Sequence, residues 1–159
     1  MHKARWAGAA VAFGLVAWST IFAHYASDQG QTSKPRSAES APAALDERLR
    51  QADVTNGARL FGRCAACHSI GRGGVDLDGP NLYGVVGGKP AERRSRYAYS
   101  AALRRVGGTW SFDRLDAWLT NPAAFAPGTS MAFGGLSDPR DRADVIAFLA
   151  SQGANLPLP

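Results

Sequence analysis

The two cysteines of the chain lie three residues apart and are followed directly by a histidine, in the run Cys64-Ala65-Ala66-Cys67-His68. Two thiols at this spacing can each form a thioether with one haem vinyl group, and the adjacent imidazole can bind the iron. A redox dithiol normally follows a strand of a βαβ unit, and a zinc site needs a second Cys or His pair; neither pattern is present. The motif predicts one covalently bound haem c, attached at Cys64 and Cys67, with His68 as an iron ligand.

A protein that carries electrons usually fills both axial positions of its iron, so we expect a second ligand elsewhere. The sequence has two methionines, Met1 and Met131. A lone methionine commonly fills a core, but Met131 follows Pro127 and Gly128, which stiffen and turn a loop. A His/Met pair stabilises ferrous iron and raises the reduction potential. We therefore predict that His68 and Met131 are the metal ligands.

Residues 1–27 have the composition of a membrane anchor. Lys3 and Arg5 precede an uncharged run from Trp6 to Ser27, and about 21 helical residues span the ~30 Å core of a bilayer. A cleaved signal peptide is the alternative, but His24 occupies a position in the cleavage site that wants a small residue. The basic residues place the N-terminus inside. We expect a single-pass protein of the bacterial inner (cytoplasmic) membrane, with the remainder of the chain on the periplasmic side.

The rest of the chain divides into a linker and a folded domain. Residues 28–44 are rich in Ser, Ala, Gln and Pro and poor in large apolar side chains, which predicts a flexible linker. Residues 45–159 form the predicted domain. The formal net charge is +5, but no stripe of basic residues interleaved with aromatics is present, so nucleic-acid binding explains this charge poorly.

Three segments of the domain begin with a capping residue and continue with apolar residues at helical spacing. Their predicted N-caps are Asp53 or Thr55, Ser111, and Asp138. Pro122 stops the second helix, and Gly153 closes the third. Three short helices joined by long Gly- and Pro-rich loops do not easily make a core unless something large and apolar lies at the centre. We predict an all-α fold of three main helices plus loops wrapped around one covalent haem.

With these motifs in order, the chain resembles the class I cytochromes c of the mitochondrial and alphaproteobacterial c2-like group. The resemblance covers about Val54 to Gln152 and includes Gly79-Pro80-Asn81-Leu82 and the loop from Asn121 to Met131. It implies that the Pro80 carbonyl accepts a hydrogen bond from His68 and so orients the ring. Further cofactor-binding positions implied by the resemblance are Tyr97, Tyr99 and Trp110 around the haem carboxylates, Trp118 near the ligand sulfur, and Thr129 in the ligand loop.

The chain also departs from this family. Gly88 stands where many relatives carry an arginine that binds a haem carboxylate. Five arginines could replace it, although a solvated basic face explains them equally well; they are Arg93, Arg94, Arg96, Arg104 and Arg105. Small residues also stand where relatives carry docking lysines, at Ala123, Ala124 and Ser130.

The resemblance implies a one-electron shuttle rather than an enzyme, with no small-molecule substrate. Its expected partners are the membrane, a bc1-type quinol-oxidising complex as donor and a haem–copper terminal oxidase as acceptor. One alternative is a fixed cytochrome c subunit of a dehydrogenase or oxidase complex. Another is a haem-based ligand sensor or peroxidase-like protein, which requires Met131 to dissociate from the iron.

Overall fold

The computed structural model describes residues 44–154 and 156–159. The predicted membrane anchor over residues 1–27, and all of the predicted linker except Ala44, lie outside the described residues. In the described part of the chain, none of the helices combines the length and the apolar character that crossing a bilayer requires.

The described residues form helices and loops and contain no strand. The helices are α1 (Leu45–Arg50), α2 (Val54–Leu60), a 3₁₀ turn (Phe61–Arg63), α3 (Ala101–Arg105), α4 (Phe112–Thr120), α5 (Pro122–Phe125) and α6 (Pro139–Ser151). The prediction of an all-α fold is confirmed, and the three predicted helices are α2, α4 and α6. The short helices α1, α3 and α5 were not predicted.

Side-chain caps fix where the three main helices begin. The Asp53 carboxylate accepts hydrogen bonds from the backbone N–H groups of Thr55 (2.8 Å) and Asn56 (3.1 Å), so Asp53 rather than Thr55 is the cap of α2. Ser111 caps α4, and Asp138 caps α6 with a proline at the first helical position. Each cap satisfies a backbone donor that has no partner inside its own helix.

Helices α2 and α6 cross at very short distance because Gly57 has no side chain. A Cβ atom built on Gly57 would lie 2.0 Å from the carbonyl oxygen of Asp144. Just beyond the crossing, the rings of Phe61 and Phe148 pack with their centroids 5.3 Å apart. The Asp144 carboxylate accepts a 2.7 Å hydrogen bond from the Asn56 amide. This crossing fixes the direction in which the chain leaves α2 toward the two cysteines.

A buried arginine connects α6 to α4 and to the end of the loop that carries Met131. Arg142 is only 7% exposed, and its guanidinium lies 2.8 Å from the Asp116 carboxylate. It also donates to the backbone carbonyls of Leu136 (2.8 Å) and Ser137 (3.0 Å). Because both the charge and its donors are paired, the low-dielectric surroundings strengthen these contacts. The loop is therefore fixed at its C-terminal end.

Candidate haem site

An apolar cavity of about 400 Å³ lies at the centre of the domain. Its volume falls within the range of pockets that enclose a small organic ligand. All ten residues predicted from the sequence to contact the cofactor line this cavity: Cys64, Cys67, His68, Pro80, Tyr97, Tyr99, Trp110, Trp118, Thr129 and Met131. Residues far apart in the sequence therefore meet around one space.

The two cysteines sit in helical turns that continue directly from α2. The backbone N–H of Cys64 donates to the Phe61 carbonyl at 2.7 Å, and the N–H groups of Cys67 and His68 both donate to the Cys64 carbonyl at 3.0 and 2.9 Å. These bonds hold the motif in one compact turn at the cavity wall. Both thiols are free, and burial raises the pKa of the Cys64 thiol. Both thiols are thus available for thioether bonds.

His68 is oriented by the segment that follows the motif. Its Nδ1 lies 2.7 Å from the Pro80 carbonyl oxygen, so Nδ1 carries the proton and Nε2 is left as the metal-binding nitrogen. Burial lowers the pKa of His68, although the bond to Pro80 opposes that shift. The neutral ring is the form that binds a metal. A Cβ on Gly79 would lie 2.3 Å from the imidazole, so glycine at this position is required by the ring.

An ion pair fixes the loop that supplies the Pro80 carbonyl. Asp76 lies 2.7 Å from the Arg94 guanidinium and also accepts a 2.8 Å hydrogen bond from the Asn81 backbone N–H. Burial tends to raise the pKa of Asp76, but the Asn81 bond and the Arg94 charge outweigh it and lower the pKa. The Asn81 side chain in turn donates to Ser69 at 2.7 Å. Sequence reasoning did not single out Asp76, because nothing local shows that Arg94 folds back onto it.

The loop that carries Met131 is shaped by local turns. Asn121 caps the short helix α5 through a 3.0 Å hydrogen bond from the Ala124 N–H. Gly128 has a φ of 89°, a left-handed conformation that glycine adopts without strain. The Thr129 hydroxyl then accepts a 3.3 Å hydrogen bond from the backbone N–H of Met131. These contacts place Met131, which is partly buried, in the cavity wall, and Thr129 acts by positioning it.

Aromatic side chains form much of the remaining wall. The rings of Trp110 and Trp118 lie 5.5 Å apart, and Phe125 packs 5.8 Å from each of them. Tyr97 and Tyr99 form an edge-to-face pair at 4.9 Å. Burial raises the pKa of both tyrosines, so both hydroxyls stay neutral. Phe125 does not itself line the cavity but packs against the two tryptophans that do, and it was not predicted from the sequence.

The residues present fit a covalently attached haem. The wall offers two free thiols, one imidazole nitrogen and one thioether sulfur, which are the groups that haem c requires. The rest of the wall is largely apolar and aromatic, as the macrocycle requires. His68 and Met131 would hold the iron, and Cys64 and Cys67 would hold the porphyrin.

Comparison with known proteins gives the same assignment. The family model of cytochrome c matches residues 54–153. The chain is 43% identical over 124 residues to a cytochrome c homolog from Bradyrhizobium diazoefficiens, which covers 78% of this chain and 67% of that protein. It is 46% identical over 102 residues to cytochrome c from Theileria parva, covering 64% of this chain and 87% of that protein.

A solved structure shares the fold as well as the sequence. Cytochrome cH from Methylobacterium extorquens superposes with a TM-score of 0.59 at 41% identity, covering 62% of this chain and 98% of that one. The residues matched by the family model, 54–153, contain the cysteine motif, the histidine and the methionine loop. The chain therefore belongs to the cytochrome c family, as a class I c-type cytochrome with covalently bound haem c.

Proposed function

We propose that this cytochrome is a membrane-tethered monohaem electron carrier. It would move one electron at a time from a bc1-type quinol-oxidising complex to a haem–copper terminal oxidase. That the protein is a cytochrome c electron carrier follows from its family. The tether and the two partners are the proposal.

The observation that carries the proposal is that His68 and Met131 line the same cavity. When bound, the haem iron supplies a reversible one-electron couple. The Pro80 carbonyl holds the proton on His68 Nδ1 and leaves Nε2 for the iron. Thr129 and Gly128 shape the loop so that Met131 also lines the cavity and would hold the iron together with His68. With both residues as ligands, the iron would have no open position for a substrate, which favours electron transfer over catalysis.

The aromatic wall contributes by excluding water. Trp110 and Trp118 are each less than a tenth exposed, and both line the cavity. A dry site disfavours the more highly charged ferric form and so favours a high reduction potential. The half-buried Phe133 lies under the guanidinium of Arg63 at 5.5 Å. We place the exit for the electron at this end of the cavity, beside the cysteine motif.

The tether rests on the sequence alone. The uncharged run from Trp6 to Ser27 is long enough to span a bilayer, and the polar segment after it would let the domain move near the surface. A tether raises the effective concentration of the domain at membrane partners. It would compensate for the small residues at Ala123, Ala124 and Ser130, where a freely diffusing carrier would use positive charge for recruitment.

The test is to purify the protein from membranes and measure its redox chemistry. We expect a c-type absorption spectrum, no carbon monoxide binding to the reduced protein at neutral pH, and reduction and reoxidation by the two proposed complexes. Carbon monoxide binding to the wild-type protein would favour the ligand-sensor or peroxidase-like alternative. Recovery in fixed stoichiometry with a dehydrogenase or oxidase would favour the fixed-subunit alternative.

A further inference from the structure

The haem carboxylates need a cation or hydrogen-bond donors at this cavity. A haem attached through its vinyl groups carries its two carboxylates on the opposite edge of the porphyrin. An ionised carboxylate near an apolar wall is unstable unless it is paired or hydrogen-bonded. Among the described residues, three lysine or arginine side chains line the cavity: Arg63, Lys89 and Arg93.

Arg63 and Lys89 are less suited than Arg93 to bind a haem carboxylate, because one lies on the other side of the cavity and the other already has an acidic partner. Arg63 directly precedes Cys64 and lies over the Phe133 ring, so it belongs to the thioether side of the cavity. Lys89 lies 3.5 Å from the carboxylate of Glu92. Arg93 donates to a backbone carbonyl, that of Tyr83, at 3.0 Å. No carboxylate of residues 44–154 or 156–159 lies within 4.0 Å of it.

The Arg93 side chain can reach the cavity wall because Gly84 and Gly88, which lie beside it, have no side chains. A Cβ on Gly88 would lie 2.6 Å from Cδ of Arg93, and a Cβ on Gly84 would lie 2.7 Å from its Nη2. Gly88 also accepts a 2.7 Å hydrogen bond from the backbone N–H of Trp110. Gly88, which the Arg93 side chain crosses, is thus hydrogen-bonded to Trp110, one of the residues that the resemblance places around the haem carboxylates.

The other arginines of the same region are placed differently. Arg94 is bound by Asp76 and by the Gly74 carbonyl. The remaining three do not line the cavity in the described structure: Arg96, Arg104 and Arg105.

We propose that Arg93, which reaches the cavity across Gly84 and Gly88, binds a haem carboxylate and raises the reduction potential of the iron. The charge is supplied from a position five residues beyond Gly88, and glycine at position 88 is what makes room for it. A cation near the haem stabilises the reduced iron, which carries one positive charge less. This inference rests on the proposed electron-transfer site.

Arg93→Gln, made in the full-length holoprotein, removes the charge and keeps an amide that can donate to the Tyr83 carbonyl. We expect the midpoint potential to fall while the thermal unfolding temperature changes little. Arg93→Lys restores the charge and should restore most of the potential. Arg96→Gln is the matched control, since it removes one exposed arginine three residues away; its effect on the potential should be much smaller.

A second variant tests whether Arg93 needs the space left by Gly88, without altering Arg93 itself. Gly88→Ala places a methyl group where the Arg93 side chain runs, so it should lower the potential as Arg93→Gln does. In the Arg93→Gln background, Gly88→Ala should have little further effect, because the two changes act on one contact.

Several outcomes would overturn the inference. Equal potential shifts for Arg93→Gln and Arg96→Gln would show a general effect of net charge. An unchanged potential with lowered stability would show that Arg93 only anchors the Tyr83 carbonyl. If the effects of Arg93→Gln and Gly88→Ala on the midpoint potential were additive, the two residues would act independently, and the space at Gly88 would not be what lets Arg93 act on the haem. If the wild-type protein lacked a reversible one-electron couple, the proposed function itself would fail, which is a distinguishable result.

Discussion

Replacing Gly57 by alanine tests whether the crossing of α2 and α6 is as close as the structure shows. The new methyl group would meet the Asp144 carbonyl oxygen at 2.0 Å, whereas ordinary contact begins at 3.4 Å. The two helix backbones must therefore separate locally by about 1.4 Å. Side-chain rotation cannot relieve this contact because the opposing atom belongs to the backbone.

The expected cost follows from the contacts that the separation weakens. Alanine in a helix gains up to ~1 kcal/mol over glycine. Against this gain, overpacking costs about 1–3 kcal/mol, and the hydrogen bonds to the Asp144 carboxylate, one of them from Asn56 at 2.7 Å, are strained. The ring contact between Phe61 and Phe148 is worth a further ~0.5–1.5 kcal/mol. We expect Gly57→Ala to lower the free energy of unfolding by about 2–4 kcal/mol.

Gly62→Ala is the matched control, since nothing lies within 4 Å of a Cβ at that glycine. It should leave the free energy of unfolding unchanged or raise it by about 0.4–1 kcal/mol. Both variants are measured as holoproteins by guanidinium unfolding, followed by far-ultraviolet circular dichroism and haem absorbance. A Gly57→Ala midpoint equal to that of Gly62→Ala would refute the close crossing.

Three further outcomes are expected. Met131→Ala should abolish the weak near-infrared band of sulfur on ferric iron, lower the potential and let carbon monoxide bind the reduced protein; an unchanged spectrum would remove Met131 from the site. Asp76→Asn should destabilise the protein at neutral pH. Burial opposes the shift, but hydrogen bonding and the Arg94 charge lower the pKa of Asp76 in the folded protein. The difference in free energy of unfolding between wild type and variant should therefore shrink as pH falls below the unfolded pKa of ~3.9, and it should vanish below the folded pKa. Urea unfolding of wild type and variant between pH 7 and pH 3 measures it, and a difference that stays constant would contradict the assignment. The full-length chain should stay with membranes after carbonate washing. A form beginning at Leu45, exported by a foreign signal, should be soluble and spectrally intact, and at equal concentration it should exchange electrons with the membrane partners more slowly. A mature N-terminus near Ser27, found by mass spectrometry, would exclude the anchor.

The sequence alone was sufficient for features that depend on neighbouring residues. The caps Asp53, Ser111 and Asp138 act within their own helical turns, so the starts of α2, α4 and α6 could be predicted from them. The cysteine motif is equally local, since its chemistry needs only the spacing from Cys64 to His68. Of the ten cavity residues, Cys64, Cys67, His68 and Met131 were predicted from the motif and the loop, and the other six came from the resemblance.

Tertiary structure decided the features that depend on contacts between distant residues. The helix α1 has no side-chain cap, and Leu49 is buried only because the rest of the domain covers it. Arg142 looks like a solvent-exposed helix residue in the sequence but is buried against Asp116, 26 residues away. The five arginines between positions 93 and 105 could not be distinguished by charge. Only the folded chain shows that Arg93 runs over Gly88 into the cavity wall while Arg94 pairs with Asp76. A long, flexible side chain takes its direction from whichever partner the fold brings within reach, and sequence spacing does not determine that partner.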